Sequence, residues 1–352
     1  AITANENGTY GVSLASYVVL PEGVTAENYK EKFGDNTVTD GTNYYATMTA
    51  ALNAVYGTET TLYCKPGANV GQMTHGAIKE TLTVYGNDAY TSGNGDFDIG
   101  NCNYEGKEIT SDITLTVKHL DGCGAWGYKN TEHTINIVFE NCKDMSEVYL
   151  SGTAGRTNIT MTNCEFTDNV DGGNCKVYSN ADGTITLKDM LFSGVDKAVN
   201  FNHKATGTQT IALENCTFTN CGDDVAGDEI PVRVLSSVAG GNSVLTVTDC
   251  TFSGTPEGGA DILLDYGVGL TEATVSNTAA KVVVEKENNV GETTIVAANE
   301  TKSFVNLVPV AKIGDAVYYT FEDAIAAAVA DASITSIEIL RDYTQTYYIE
   351  AG

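Results

Sequence analysis

The chain has 352 residues, a net charge of −27 with only 19 Lys plus Arg, and 18% charged residues. So few cations leave no basic patch to neutralise phosphates, which excludes nucleic acid and anionic membrane surfaces as partners. No apolar run is long enough for a membrane-spanning helix, so membrane insertion is not expected.

Glycine is abundant at 36, proline scarce at 5, and Thr and Asn are frequent, as turns and solvent-facing strands require. The start at Ala1 without Met reads as a mature or trimmed chain, and the expected location is extracellular, at the cell surface.

Residues 1–43 read as an N-terminal extension with strands. YYATMTAALNAV (Tyr44 to Val55) then has Met48, Ala51, Leu52 and Val55 at helical spacing, with Thr47 as N-cap. It leads into the strand TTLYC (Thr60 to Cys64). A short amphipathic helix ahead of a solenoid covers its open apolar end. Next come two Gly-rich stretches read as turns. GNGDFDIGN (Gly93 to Asn101) alternates carboxylates with Gly and Asn, and DGCGAWGYKN (Asp121 to Asn130) carries Trp126, the only Trp, near Tyr128.

The middle of the chain repeats one pattern: a strand, an Asn or Asp, a Cys or Met, then an aromatic two residues on. The copies are ITMTNCEF (Ile159 to Phe166), ITLKDMLF (Ile185 to Phe192), IALENCTF (Ile211 to Phe218) and LTVTDCTF (Leu245 to Phe252), with a weaker INIVFENC (Ile135 to Cys142) before them. Their Cys or Met positions, 142, 164, 190, 216 and 250, step by 22, 26, 26 and 34 residues. Period-2 apolar strands repeating at such steps without helices predict an all-β fold, a right-handed parallel β-helix spanning 44–305. The Cys/Met set and Phe166, Phe192, Phe218 and Phe252 should stack inward, one of each per coil. Asn141, Asn163, Asp189, Asn215 and Asp249 should form an outer corner, each bonding its own turn and the coil above.

Nine Cys is an odd number, so a complete internal disulfide framework is impossible. The repeat cysteines read as small core hydrophobes. Cys102, Cys123, Cys175 and Cys221, in Gly- or Asn-rich surroundings, are the expected bridge formers if any bridge exists. A second opening, YYTFEDAIAAAV (Tyr318 to Val329), sets Phe321, Ala324, Ile325 and Val329 at helical spacing behind Thr320 and precedes TSIEIL (Thr335 to Leu340). Residues 306–352 therefore read as a C-terminal helix–strand unit, the start of another module or an assembly element.

Val310 to Asp342 resembles the opening of modules in large surface proteins of gut Firmicutes, and the NCxF coils resemble the pectin-lyase-like right-handed β-helix superfamily. The first resemblance implies a multi-module adhesin or fibre. The second implies architecture only, because that superfamily also includes polysaccharide lyases and glycoside hydrolases.

The residues themselves decide between these functions. CGDDVAGDEIPVRV (Cys221 to Val234) offers Asp223, Asp224, Asp228, Glu229 and Arg233, with His203 one coil earlier. The hydrolase-like Gly-His-Gly and Arg-x-Lys strings are absent, and Arg occurs only at 156, 233 and 341. A solvated acidic loop outweighs catalysis by Asp223, Asp224, Asp228, Arg233 and His203. Zinc is disfavoured because Cys216-x4-Cys221 has no matching second pair, and no cofactor is expected unless calcium sits at Asp96 and Asp98, at Asp168 and Asp171, or at Asp223, Asp224, Asp228 and Glu229, where hard oxygens in tight turns suit it. The expectation is a non-enzymatic extracellular module, an adhesin or fibre subunit, partnered by copies of itself head-to-tail or by tandem modules, with a glycan or host-surface ligand. The alternative is a carbohydrate-active enzyme built on the 223–233 loop.

Overall fold

The computed structural model describes residues 2–4, 10–12, 17–73, 78–100, 108–128, 131–167, 175–222 and, in shorter stretches, 230–340. Its body is a right-handed parallel β-helix of about seven turns. A typical coil carries three strands, for example Arg156–Thr162, Glu165–Thr167 and Val177–Ser179, and the next repeats them as Gly183–Lys188, Leu191–Ser193 and Val199–His203. Each strand of the first of these coils pairs in parallel with its equivalent in the second, and Arg156–Thr162 and Val177–Ser179 also pair with the coil before.

Register is what the repeated apolar positions specify. Leu82 lies across from Leu115, then Ile137, Ile159, Ile185, Ile211 and Leu245 follow in one continuous row. A slip by one residue would turn every such side chain outward, so the buried row fixes the pairing. Beside it Phe166, Phe192, Phe218 and Phe252 stack with centroids 5.3, 5.0 and 4.6 Å apart and planes within 7°. Each buried ring stabilises by ~1.5–3 kcal/mol through area alone, with about 0.5–1.5 kcal/mol more from each ring pair.

The corner residues have a second reason to be Asn or Asp. Asn141, Asn163, Asp189, Asn215 and Asp249 all sit in the left-handed region, at φ of 55, 51, 53, 52 and 55°. Asn and Asp tolerate that conformation better than other side-chain-bearing residues. Their amides pair with each other rather than with the turn backbone: Asn163 Nδ2 donates to Asn141 Oδ1 at 2.5 Å, and Asn215 Nδ2 to Asp189 Oδ1 at 2.6 Å. The backbone supplies the rest, with Asn163 N donating to Lys188 O and Asn215 N to Thr248 O, both at 2.9 Å.

The ladder cysteines are buried as expected. Cys123, Cys175 and Cys221 are buried free thiols too, which corrects their reading as bridge formers; Cys102 lies outside the described residues. Burial pushes the Cys175 thiol up to about 12, so it behaves as a small apolar group.

The helix Met48–Ala54 closes the first coil, with Met48, Ala51 and Leu52 turned into the core and Thr47 Oγ1 accepting from Ala50 N. The C-terminal unit folds as a separate small sheet with the helix Phe321–Ala330. There Val329 is exposed, not on the apolar face, and Thr320 lies outside the described residues. The two Gly-rich acidic stretches are not turns: they are the ends of the long strands Leu82–Asp98 and Ile113–Tyr128.

Phe192→Ala should lower stability by about 3–5 kcal/mol in equilibrium urea unfolding, the cost of an unfilled aromatic site. Asn163→Ala should be more destabilising than Asn163→Gly by about 1 kcal/mol, because glycine keeps the left-handed turn without strain. Equal costs for the two variants would mean that the left-handed backbone conformation is not what selects the corner residue.

Candidate functional site

Among the described residues the expected catalytic set is not gathered. Asp223, Asp224, Asp228, Glu229, Asp168 and Asp171 lie outside them. His203 ends the strand Val199–His203 with its side chain fully buried, and its Nε2 lies 2.8 Å from Asp182 Oδ1, which also accepts from Gly207 N. Arg233 lies across from Asn200 on the next coil. Strand alternation puts Asn200 and Arg233 on the outer face and His203 on the inner, so Arg233 and His203 point to opposite sides of one sheet.

That outer face gathers a different set. Along Leu82–Asp98, Phe97 points into the core, so Asp96 and Asp98 point out. Asp96 lies across from Gly124 and Asp98 across from Trp126. The next strands add Glu147 beside Gly124 and Lys176 beside Glu147, positioned by Ala125 N donating to Glu147 O and Val148 N to Lys176 O. Gly124 makes the gap: a Cβ there would lie 2.5 Å from Asp96 Oδ1 and clash with Ser146 Oγ and Glu147 O. The bare backbone lets the Asp96 carboxyl lean across a strand to Ser146 Oγ, which donates to Asp96 Oδ1 at 2.5 Å.

Two carboxyls drawn together and partly desolvated hold protons more tightly. Burial raises the Asp96 pKa, with Ser146 and Lys176 pulling the other way. Glu147 is raised from 4.5 to about 7, by burial first and the Asp96 charge second, with Lys176 partly offsetting them. Near neutrality the pair therefore carries a proton that can be donated to a ligand hydroxyl, beside carboxylate acceptors and an ammonium donor.

An aromatic row runs alongside. Trp126, Tyr149 and Tyr178 lie across from one another on successive strands, and the rings of Tyr149 and Tyr178 stack at 4.4 Å and 10°. Stacked rings cover each other's faces, and Tyr178 is buried, which leaves Trp126 and Tyr149 as the more accessible members of the row. Rows of this kind offer side chains at the inter-strand spacing of ~4.8 Å.

A second cluster sits on the corner. Asp88, His119, Asp121, Asn141, Lys143 and Asn163 line a cavity of about 380 Å³. His119 takes the ladder position of Asn141 one coil earlier, at φ 53°. Its Nδ1 lies 3.2 Å from Asp88 Oδ1 and its Nε2 3.1 Å from Asn141 Nδ2. Tyr17 stacks on the imidazole at 4.2 Å and 12°, and Asn87 bonds both the N–H and the C=O of Val19 at 2.7 and 2.8 Å. Both ring nitrogens of His119 are thus engaged by corner residues and one ring face packs on Tyr17, so that with Asn87 it holds the N-terminal segment, a structural role. The signal for it was Val117-x-His119, which aligns with Phe139-x-Asn141.

Among the described residues no group of three or more His, Cys, Asp or Glu could hold a metal ion. The chain matches no family model, no curated protein and no solved structure.

The raised Glu147 pKa makes a signed prediction. The folded chain binds more protons than the unfolded chain between about 4.5 and 7, so this group's contribution to stability falls as pH rises through that window. Glu147→Gln removes the penalty. The variant should exceed the parent by about 1 kcal/mol at pH 8, after allowing for solvent screening of a half-buried group, and the gap should vanish near pH 4. Urea unfolding at both pH values measures it; a gap independent of pH would show that Glu147 ionises normally.

Proposed function

We propose that this chain is a non-enzymatic β-helix module of a bacterial cell-surface protein, adhesin-like, which binds a hydroxyl-rich glycan on the outer sheet face at Asp96, Glu147, Lys176, Trp126 and Tyr149. The single observation behind this reading is that these five side chains share one outer face, where a row of carboxyls and an ammonium (Asp96, Glu147, Lys176) runs beside an aromatic row (Trp126, Tyr149). Glycan sites combine apolar ring contacts with a few polar groups that fix orientation. The net charge of −27 favours neutral glycans over uronate polymers, which the carboxyl pair would repel. The coil pattern supports kinship with the pectin-lyase-like superfamily at the level of architecture.

One observation favours a second reading. A carboxyl that stays protonated to about pH 7 beside a second carboxyl is the pairing a glycoside hydrolase uses as general acid and partner carboxylate. Under that reading Glu147 protonates the leaving oxygen and Asp96 serves as base or nucleophile.

Affinity electrophoresis and a glycan array on the folded chain separate the two. Binding to neutral polysaccharides should weaken about tenfold in Trp126→Ala and in Tyr149→Ala, with no reducing ends released. Turnover that disappears in Glu147→Gln while binding persists would replace the first reading with the second. A folded chain that binds nothing on the array would overturn both.

A further inference from the structure

The two ends of the described fold are built on one plan. At the N-terminal end, the strand Val38–Thr39 pairs antiparallel with Tyr44–Tyr45 and with Thr60–Cys64, and the helix Met48–Ala54 joins the two partners. At the C-terminal end, Ala311–Ile313 pairs antiparallel with Ala316–Tyr318 and with Glu338–Ile339, and the helix Phe321–Ala330 joins those. The registers coincide. Val38 faces Tyr45 and Cys64; Ala311 faces Tyr318 and Ile339. Each helix starts three residues after its paired tyrosine, at Met48 and at Phe321. Met48 therefore corresponds to Phe321, Ala51 to Ala324, Leu52 to Ile325, Leu62 to Ile337 and Cys64 to Ile339.

Burial separates the two copies. Met48, Ala51, Leu52, Leu62 and Cys64 are all buried, because Leu82–Tyr85 pairs in parallel on Thr60–Tyr63 and its coil closes over the helix. At the other end, among the described residues, only Ala311 and Ala324 are buried. Ile339 is 57% exposed and Leu340 39%, while Phe321, Ile325 and Ile337 are half-exposed. Among the described residues Glu338–Ile339 pairs only with Ala311–Lys312, so its second edge is the one that Leu82–Tyr85 occupies in the N-terminal copy.

We propose that residues 311–340 are a second β-helix cap, and that their partner is the first coil of another parallel β-helix. Its opening strand adds in parallel to Glu338–Ile339, with an apolar inward residue meeting Ile337 as Val84 meets Leu62. A second copy of this chain does not offer that strand, because its own Thr60–Cys64 already holds the matching edge of Leu82–Asp98. The partner is thus a β-helix lacking a cap of its own, as a module placed directly after this one would be. The same surface explains why the cap carries Ile at 337 and 339, where a solvent-facing edge strand would carry charge.

A cap exchange in the full chain tests this. Residues 38–64 are replaced by 311–339, leaving the rest of the chain intact, and a control lacks 38–64 altogether. Two junctions are made, after Ile339 and after Ile337, so that one strained splice does not decide the result. The exchanged chain should melt cooperatively within about 5 °C of the parent, and the capless control should aggregate or melt more than about 15 °C lower. Ile339→Asp should leave the melting of the parent within about 2 °C and collapse that of the exchanged chain. Failure at both junctions, with behaviour like the capless control, overturns the proposal. Sedimentation equilibrium of the parent supplies the other arm: the expected species is a monomer, and a dimer that Ile339→Asp dissociates would make a second copy the occupant and overturn it.

Discussion

In a parallel coil the backbone N–H and C=O groups of each strand find partners only in the coils before and after, never within the same coil. Asn163 N bonds Lys188 O and Asp189 N bonds Glu214 O, and the same rung repeats at Asn215 and Asp249. Every other regularity depends on that in-register stacking. It places like residues above one another at a rise of ~4.8 Å, which suits flat rings and small thiols and rewards a corner amide that bonds its own kind. It also makes stability a sum of neighbour terms, so a defect in one coil is felt mainly by the next.

The same stacking penalises repeated charge, which matters for a chain of −27. Like charges directly across a strand pair repel. On the solvent side of the first strands, charges in neighbouring coils meet as opposite pairs: Lys118 meets Glu140 at 2.6 Å and Lys188 meets Glu214 at 3.8 Å. These exposed pairs contribute little each, well under ~1 kcal/mol; their effect is to avoid repulsion. Asp96 and Glu147 break this pattern. Asp96 leans over a glycine to Ser146, and burial together with the Asp96 charge raises the Glu147 pKa to about 7, a departure from otherwise consistent local rules of the kind functional sites make.

The coil architecture was legible because its requirements repeat: Ile159, Ile185 and Ile211 must face inward in register, and Asn163, Asp189 and Asn215 must turn left-handed. The cluster at Asp96 was only half legible. Its two aspartates stood out as an acidic, Gly-rich stretch, but glycine was read as a turn signal when its use at Gly124 is close approach between coils. Glu147 lies 51 residues away from Asp96, and no periodicity links them, because strand Leu82–Asp98 carries two register irregularities that reset the spacing. Trp126 was singled out, yet its row with Tyr149 and Tyr178 depends on which face of a strand each occupies. His203 shows the opposite failure. It has a plausible catalytic neighbourhood in sequence, and strand alternation turns it into the wall.

The caps add a further constraint. A coil at the end of a solenoid exposes both its apolar interior and a row of unpaired backbone groups, and one helix with one antiparallel strand answers both needs. Such a cap touches only the coil it covers, so it can be duplicated without disturbing register elsewhere in the chain. That independence accounts for the way residues 311–340 keep the topology and pairing of residues 38–64 while changing most side chains. Cys64 and Ile339 differ in shape, as do Met48 and Phe321, yet each pair occupies one position on one face. What is preserved is the geometry that presents an edge strand above an apolar helix face, and that geometry has a use only where a coil is there to meet it.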